Sequence, residues 1–153
     1  MELLVIILIY NWMAFCSSGM LSSQRPKSKR ILVVDDEQDL LIIMKRQLSK
    51  WYEVDTFESA VDAIDYIRQN KVKYAMIVSD IRMPQMNGFE FVREVRKIMP
   101  SIKVILITAF EINKSEFDIV HPSTHADALL RKPFTASQLR ALIQKELESK
   151  TAA

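Results

Sequence analysis

The chain has 153 residues, of which 49% are hydrophobic and 26% charged, and its net charge is +2. This length and composition fit one globular domain with a full core, and the small net charge argues neither for nor against nucleic-acid binding. A single cysteine excludes an internal disulfide framework and a cysteine-based zinc site, and two glycines exclude a glycine-rich phosphate loop.

The N-terminal segment, residues 1–24, has no charged side chain after its second residue. Three interpretations remain open. In the first, translation starts at Met13 or Met20. In the second, the segment is a membrane anchor, since about 20 apolar residues span a bilayer. In the third, it is a secretory signal that lacks the usual positively charged start. The cations of the basic linker, residues 25–30, favour a cytoplasmic domain if residues 3–24 insert into a membrane. We expect a cytoplasmic protein that is membrane-anchored only in that case.

Strand and helix patterns alternate through residues 29–149. Short runs of β-branched and aliphatic residues predict strands, and apolar residues three or four positions apart predict helices. In chain order these are strand 30–35, helix 37–50, strand 53–56, helix 59–70, strand 74–79, helix 89–99, strand 102–107, a short or irregular fourth helix at 113–120, strand 126–130 and helix 137–149. This alternation predicts an α/β domain with a parallel sheet and helices on both faces.

Polar residues stand where four of these strands end: Asp35 and Asp36, Asp80, Thr108 and Lys132. The carboxyl ends of parallel strands share one edge, where such sheets bind ligands. Three neighbouring carboxylates repel one another and are costly to bury unpaired. A hard cation between them relieves this, and Mg²⁺ prefers oxygen ligands and often shares its site with a phosphoryl group.

Taken singly, each of these residues has a plainer explanation. An aspartate at a strand end is often a turn residue or a helix cap, and Asp35 or Asp36 could cap the first helix. Thr108 could be an ordinary β-branched strand residue, and Lys132 could be a solvated surface lysine. Their placement together on one edge favours a functional site.

Four segments carry a family pattern: residues 31–37 (ILVVDDE), 80–88 (DIRMPQMNG), 108–109 and 132–134 (KPF). With them the chain resembles a response-regulator receiver domain of two-component signalling over residues 29–149. The resemblance implies a flavodoxin-like, doubly wound sheet of five parallel strands in the order 2-1-3-4-5.

The resemblance also implies the role of each acidic residue. Asp80 would be the phosphoacceptor, taking a phosphoryl group from a sensor histidine kinase or a phosphotransfer protein. Asp36 would bind Mg²⁺ directly and Asp35 directly or through water, together with Asp80 and the backbone carbonyl of Arg82. Such a protein catalyses only its own phosphorylation and dephosphorylation and is not otherwise an enzyme.

Two further residues would respond to the phosphoryl group. By the same resemblance, Lys132 would pair with its oxygens, and the Thr108 hydroxyl would bind it and draw in the following loop. The chain departs from the family at Leu129, where an aromatic residue is usual. We therefore expect the signal to be read out through the loop at residues 110–125.

Residues 150–153 form only a short tail, so we expect a stand-alone receiver that binds an unknown downstream protein and not nucleic acid directly. Two alternatives remain. An aspartyl phosphohydrolase would need a second carboxylate close behind its nucleophile, where this chain has Arg82. A phosphorylation-independent pseudo-receiver is favoured by Leu129 and the irregular fourth helix, but the acids, Thr108 and Lys132 argue against it.

Overall fold

The computed structural model describes residues 29–109 and 126–149. The chain alternates between strands and helices throughout this part. The elements are β1 (Arg30–Val34), α1 (Gln38–Leu48), β2 (Glu53–Phe57), α2 (Ala60–Asn70), β3 (Met76–Asp80), α3 (Gly88–Ile98), β4 (Lys103–Thr108), β5 (Ala128–Arg131) and α4 (Ala136–Glu148).

The five strands form one parallel sheet in the order β2-β1-β3-β4-β5. This confirms the flavodoxin-like, doubly wound architecture. The order of the strands reverses between β1 and β3, and the crevice beyond such a reversal is where these sheets bind ligands. Val34 pairs with Ser79, so the carboxyl ends of the two central strands are level at this crevice.

Helices cover both faces of the sheet, as predicted. Leu41, Met44 and Leu48 of α1 pack with Leu139 and Ile143 of α4 on one face. On the other face α2 and α3 pack through a second buried cluster that includes Ala63, Ile64, Ile67, Phe91, Val92 and Val95. Central strands buried on both faces read as continuous aliphatic runs, whereas the edge strand β5 is only half-buried or exposed along its length.

Several element ends differ from the predicted ones by one or two residues. β1 ends at Val34 and not at residue 35, because the Asp35 side chain accepts a hydrogen bond from the Glu37 backbone N–H at 2.9 Å and the chain turns there. Asp80 is the last residue of β3 and does not follow the strand. Glu37 is the N-cap of α1, so the plainer alternative, in which Asp35 or Asp36 caps this helix, is wrong.

Several predictions fall outside the described residues: the segment 1–24, most of the linker 25–30, the helix at 113–120 and the tail 150–153. Within residues 29–109 and 126–149, no helix has the length and apolar character needed to cross a bilayer.

Candidate functional site

The acidic pair after β1 divides into one buried and one exposed residue. Asp35 is fully buried and Asp36 is exposed. The hydrogen bond from the Glu37 backbone N–H holds the Asp35 carboxylate below the surface. Asp36 lies at the cavity beside it. The pair therefore presents one carboxylate from within the protein and one from its rim.

Asp80 ends the central strand β3 and is 5% exposed. Its Oδ2 accepts a hydrogen bond from the Arg82 backbone N–H at 2.8 Å, which fixes the carboxylate at the start of the following loop. The loop returns to the strand at Gly88, whose N–H donates to the Ile81 carbonyl at 2.9 Å. A Cβ at Gly88 would lie 2.3 Å from the Asp80 carbonyl oxygen, so only glycine permits this approach.

Lys132 reaches the two buried carboxylates from the loop after β5. Its Nζ lies 3.0 Å from Asp35 Oδ2, 3.2 Å from Asp80 Oδ1 and 2.6 Å from Glu37 Oε1. Its backbone N–H donates to the Thr108 carbonyl at 2.7 Å, and its bond to Pro133 is cis. One ammonium thus joins the turn after β1, which holds Asp35 and Glu37, to Asp80 at the end of β3.

The charges at this site depend on one another. Burial raises the pKa of the Asp35 and Asp80 carboxyls, and Lys132 opposes this effect only in part. Burial also acts against the charge on Lys132, but the hydrogen bond to Glu37 and the two aspartates outweigh it and hold the pKa of the ammonium above its ordinary value. The site therefore keeps a cation beside two carboxylates that burial disfavours as anions.

These residues border a cavity of about 240 Å³ at the carboxyl edge of the sheet. Thr108, which is 3% exposed, ends β4 at its wall. The residues that line the cavity are Asp36, Glu37, Asp80, Ile81, Arg82, Thr108, Ala109 and Lys132. The structure thus brings the predicted site residues together, with Asp35 in contact with Lys132.

The donor set fits Mg²⁺. Asp35 Oδ2 is buried and, within the described part of the chain, accepts no hydrogen bond although the Lys132 ammonium is near. No group of three or more acidic, histidine or cysteine side chains among the described residues is arranged to hold a metal by itself. Mg²⁺ does not require such a cage, because it keeps several waters and takes one or two carboxylates plus phosphoryl oxygens.

Two residues that matter to the geometry were not singled out from the sequence. Glu37 contacts Lys132, a residue 95 positions away, and its place directly after the acidic pair was the only signal available. Gly88 packs against the Asp80 backbone, and in the sequence it stood out only as the last residue of the 80–88 motif. Leu129 is half-buried and packs against the core cluster of α2 and α3.

The fold and the site together define a receiver domain of two-component signalling. The chain belongs to the response regulator receiver domain family, which it matches over residues 31–144.

Relatives and solved structures agree with this assignment. The chain is 33% identical over 129 residues to the two-component response regulator ORR24 of Oryza sativa subsp. indica, covering 83% of this chain and 20% of that protein. It is 31% identical over 122 residues to the sensor kinase CckA of Brucella abortus (strain 2308), covering 79% and 13%. It therefore spans about a fifth or less of the length of these relatives.

Two solved receiver structures superpose on most of the chain. The response regulator receiver domain protein (CheY-like) from Methanospirillum hungatei JF-1 has a TM-score of 0.70 at 28% identity, covering 78% of this chain and 94% of that one. The BeF3-activated DrrB receiver domain has a TM-score of 0.68 at 26% identity, covering 79% and 98%.

Proposed function

We propose that this chain is a phosphoacceptor response regulator that receives a phosphoryl group on Asp80 and signals through phosphorylation-dependent binding of a partner protein. The observation that carries the proposal is the position of the Lys132 ammonium, 3.2 Å from Asp80 Oδ1 and 3.0 Å from Asp35 Oδ2 beside a cavity at the sheet edge. A cation fixed beside a carboxylate is what phosphoryl transfer to that carboxylate requires, because donor and acceptor are both anionic.

The chemical step uses the carboxylate of Asp80 as nucleophile. An oxygen–phosphorus bond forms to give an acyl phosphate, while the bond from phosphorus to the imidazole nitrogen of a phosphohistidine breaks and that nitrogen takes up a proton. The Arg82 N–H orients the acceptor through Oδ2, and Lys132 balances the negative charge on the phosphoryl oxygens. Asp35, Asp36, Asp80 and the Arg82 carbonyl would hold Mg²⁺, which would supply further charge neutralisation.

The phosphoryl group then acts as a new set of hydrogen-bond acceptors. Thr108 lies at the cavity wall, and its hydroxyl binds a phosphoryl oxygen and draws in the loop that follows it. The donor is a sensor histidine kinase or a phosphotransfer protein, a proposal supported by the relatives named as response regulators and as a sensor kinase. We place this activity in the cytoplasm, the side of a membrane that the cations of residues 25–30 favour if residues 3–24 insert.

The test is mass spectrometry of the full chain incubated with Mg²⁺ and acetyl phosphate. We expect one labile adduct of about 80 Da, the mass of the HPO₃ unit of a phosphorylated side chain, and its loss in Asp80→Asn or without Mg²⁺. Asp65→Asn, at an exposed aspartate of α2, is the matched control and keeps the adduct. An adduct that persists in Asp80→Asn would refute the assignment of the acceptor.

A second probe separates donor failure from site failure. Beryllofluoride, the group named for the activated DrrB receiver domain, needs no donor chemistry, so we expect it to bind with Mg²⁺ and to protect the amides near Thr108 from hydrogen exchange. Absence of both the adduct and this protection would indicate a phosphorylation-independent interaction module. Sustained turnover of a simple phosphate ester would indicate a phosphohydrolase instead.

A further inference from the structure

Three carboxylates surround the Lys132 ammonium, and Glu37 accepts a hydrogen bond from it. A lysine ammonium offers three N–H donors, and three carboxylate oxygens lie within 3.2 Å of Nζ: Glu37 Oε1, Asp35 Oδ2 and Asp80 Oδ1. The closest of them is Glu37 at 2.6 Å. A phosphoryl group that arrives on Asp80 therefore competes with Glu37 for the hydrogen bond from Lys132 and with the two aspartates for its charge.

Burial decides which contact can be released. The Asp35 and Asp80 side chains are 0% and 7% exposed, whereas the Glu37 side chain is 63% exposed. A buried carboxylate that loses its cation is left unsolvated at high cost. Glu37 can turn into water, and an exposed ion pair of this kind is weak. It is the releasable partner of the three.

We propose that Glu37 is a positioning residue that occupies the Lys132 donor needed by the phosphoryl group, so that its contact with Lys132 restrains phosphorylation of Asp80. The inference rests on the proposed function. In the resting protein Glu37 holds the lysine over the cavity. During transfer Glu37 swings outward and Lys132 turns to the phosphoryl oxygens, and the contact forms again when the phosphoryl group is lost.

The first test is the rate of adduct formation with acetyl phosphate and Mg²⁺. We expect Glu37→Gln to raise this rate by about two- to five-fold, the range that corresponds to one partly exposed ion pair. Asp39→Asn removes the same charge from an exposed first-turn residue of α1 and leaves the rate unchanged. Glu37→Asp keeps the charge but is one methylene too short to reach Nζ, so it resembles Glu37→Gln.

Two patterns would overturn the inference. Equal rates for Glu37→Gln and wild type show that the contact does not restrain transfer. A Glu37→Asp rate equal to that of wild type, with Glu37→Gln fast, shows that only charge at a distance matters. Absence of both the adduct and the beryllofluoride protection on the wild-type chain overturns the proposed function and this inference together, whereas equal rates overturn the inference alone.

A second measurement needs no phosphoryl transfer. We expect Glu37→Gln to lower the urea midpoint of unfolding in the wild-type background and to leave it unchanged in Lys132→Met, because the contact that it removes no longer exists there. Asp39→Asn has the same effect in both backgrounds. Equal shifts from Glu37→Gln in both backgrounds would show that Glu37 does not pair with Lys132 in solution and would overturn the inference.

Discussion

Replacing Lys132 with methionine removes the cation of the site and keeps most of its apolar bulk. Nζ lies 3.0 Å from Asp35 Oδ2 and 3.2 Å from Asp80 Oδ1. At an effective dielectric constant of about 20, each pair has a Coulomb attraction of roughly 5 kcal/mol before desolvation. Removing one partner of a buried pair costs about 3–5 kcal/mol, and we expect the lower end, about 3 kcal/mol, because the lysine side chain is 17% exposed.

The loss should be measured as the free energy of unfolding in urea at neutral pH without Mg²⁺. Asp80→Asn in the Lys132→Met background should recover most of it, because only one buried carboxylate, Asp35, then lacks a cation. Asp65→Asn in the same background serves as the control and recovers nothing. The slope of the unfolding free energy with urea should stay constant, showing that the folded state keeps its compactness.

The pH dependence of Lys132→Met has a definite sign. Burial raises the pKa of Asp35 and Asp80 in the folded protein above their unfolded values, so their ionisation lowers stability as pH rises through the folded pKa values. The deficit of the variant should therefore shrink as the solution is acidified and both carboxylates bind protons. A loss below about 1 kcal/mol, or no recovery with Asp80→Asn, would refute this account of the site, since removing a partner from a buried pair should cost more.

Three further changes test contacts that stabilise the fold. Tyr74→Phe should lower the free energy of unfolding by about 1 kcal/mol, since the hydroxyl donates to Asp55 at 2.6 Å. Burial and Asp55 raise the pKa of Tyr74, so wild-type stability should fall as pH rises above about 10. The variant has no phenol to ionise at this position and should show a smaller fall. Gly88→Ala should lower the free energy of unfolding by about 2 kcal/mol and slow adduct formation, because the added Cβ would meet the Asp80 carbonyl oxygen. An unchanged urea midpoint would contradict this. Asn87→Ala should cost about 1 kcal/mol by removing the capping box with Glu90, which helix content during thermal unfolding can report.

The strand order followed from the family resemblance, and the meeting of polar residues at one edge could be predicted from the sequence pattern. Parallel strands align their carboxyl ends, so position along the chain was enough to bring Asp35, Asp80 and Thr108 to the same edge. The exact ends of strands were less predictable. Asp80 continues β3 because its neighbour Ile81 still donates to the carbonyl of Ile107, and such a bond between strands leaves no trace in a local pattern.

The contact between Glu37 and Lys132 could not be predicted. It depends on the reach and rotamers of two long side chains that are 95 positions apart, and periodicity carries no information about either. The close approach of Gly88 to the Asp80 carbonyl depends likewise on the path of a whole loop. Sequence patterns predict which groups share an edge, whereas the partner that each group takes depends on packing.

Lys132 follows the edge strand β5, yet its ammonium sits over the central strands β1 and β3, with β4 in between. The side chain therefore links the edge of the sheet at β5 to β3 and β1, which lie two and three strands away. β5 has no buried residue, so the segment that carries Lys132 can open locally with little loss of packing. Local opening of this edge would therefore withdraw the cation from Asp35 and Asp80, although both carboxylates are buried.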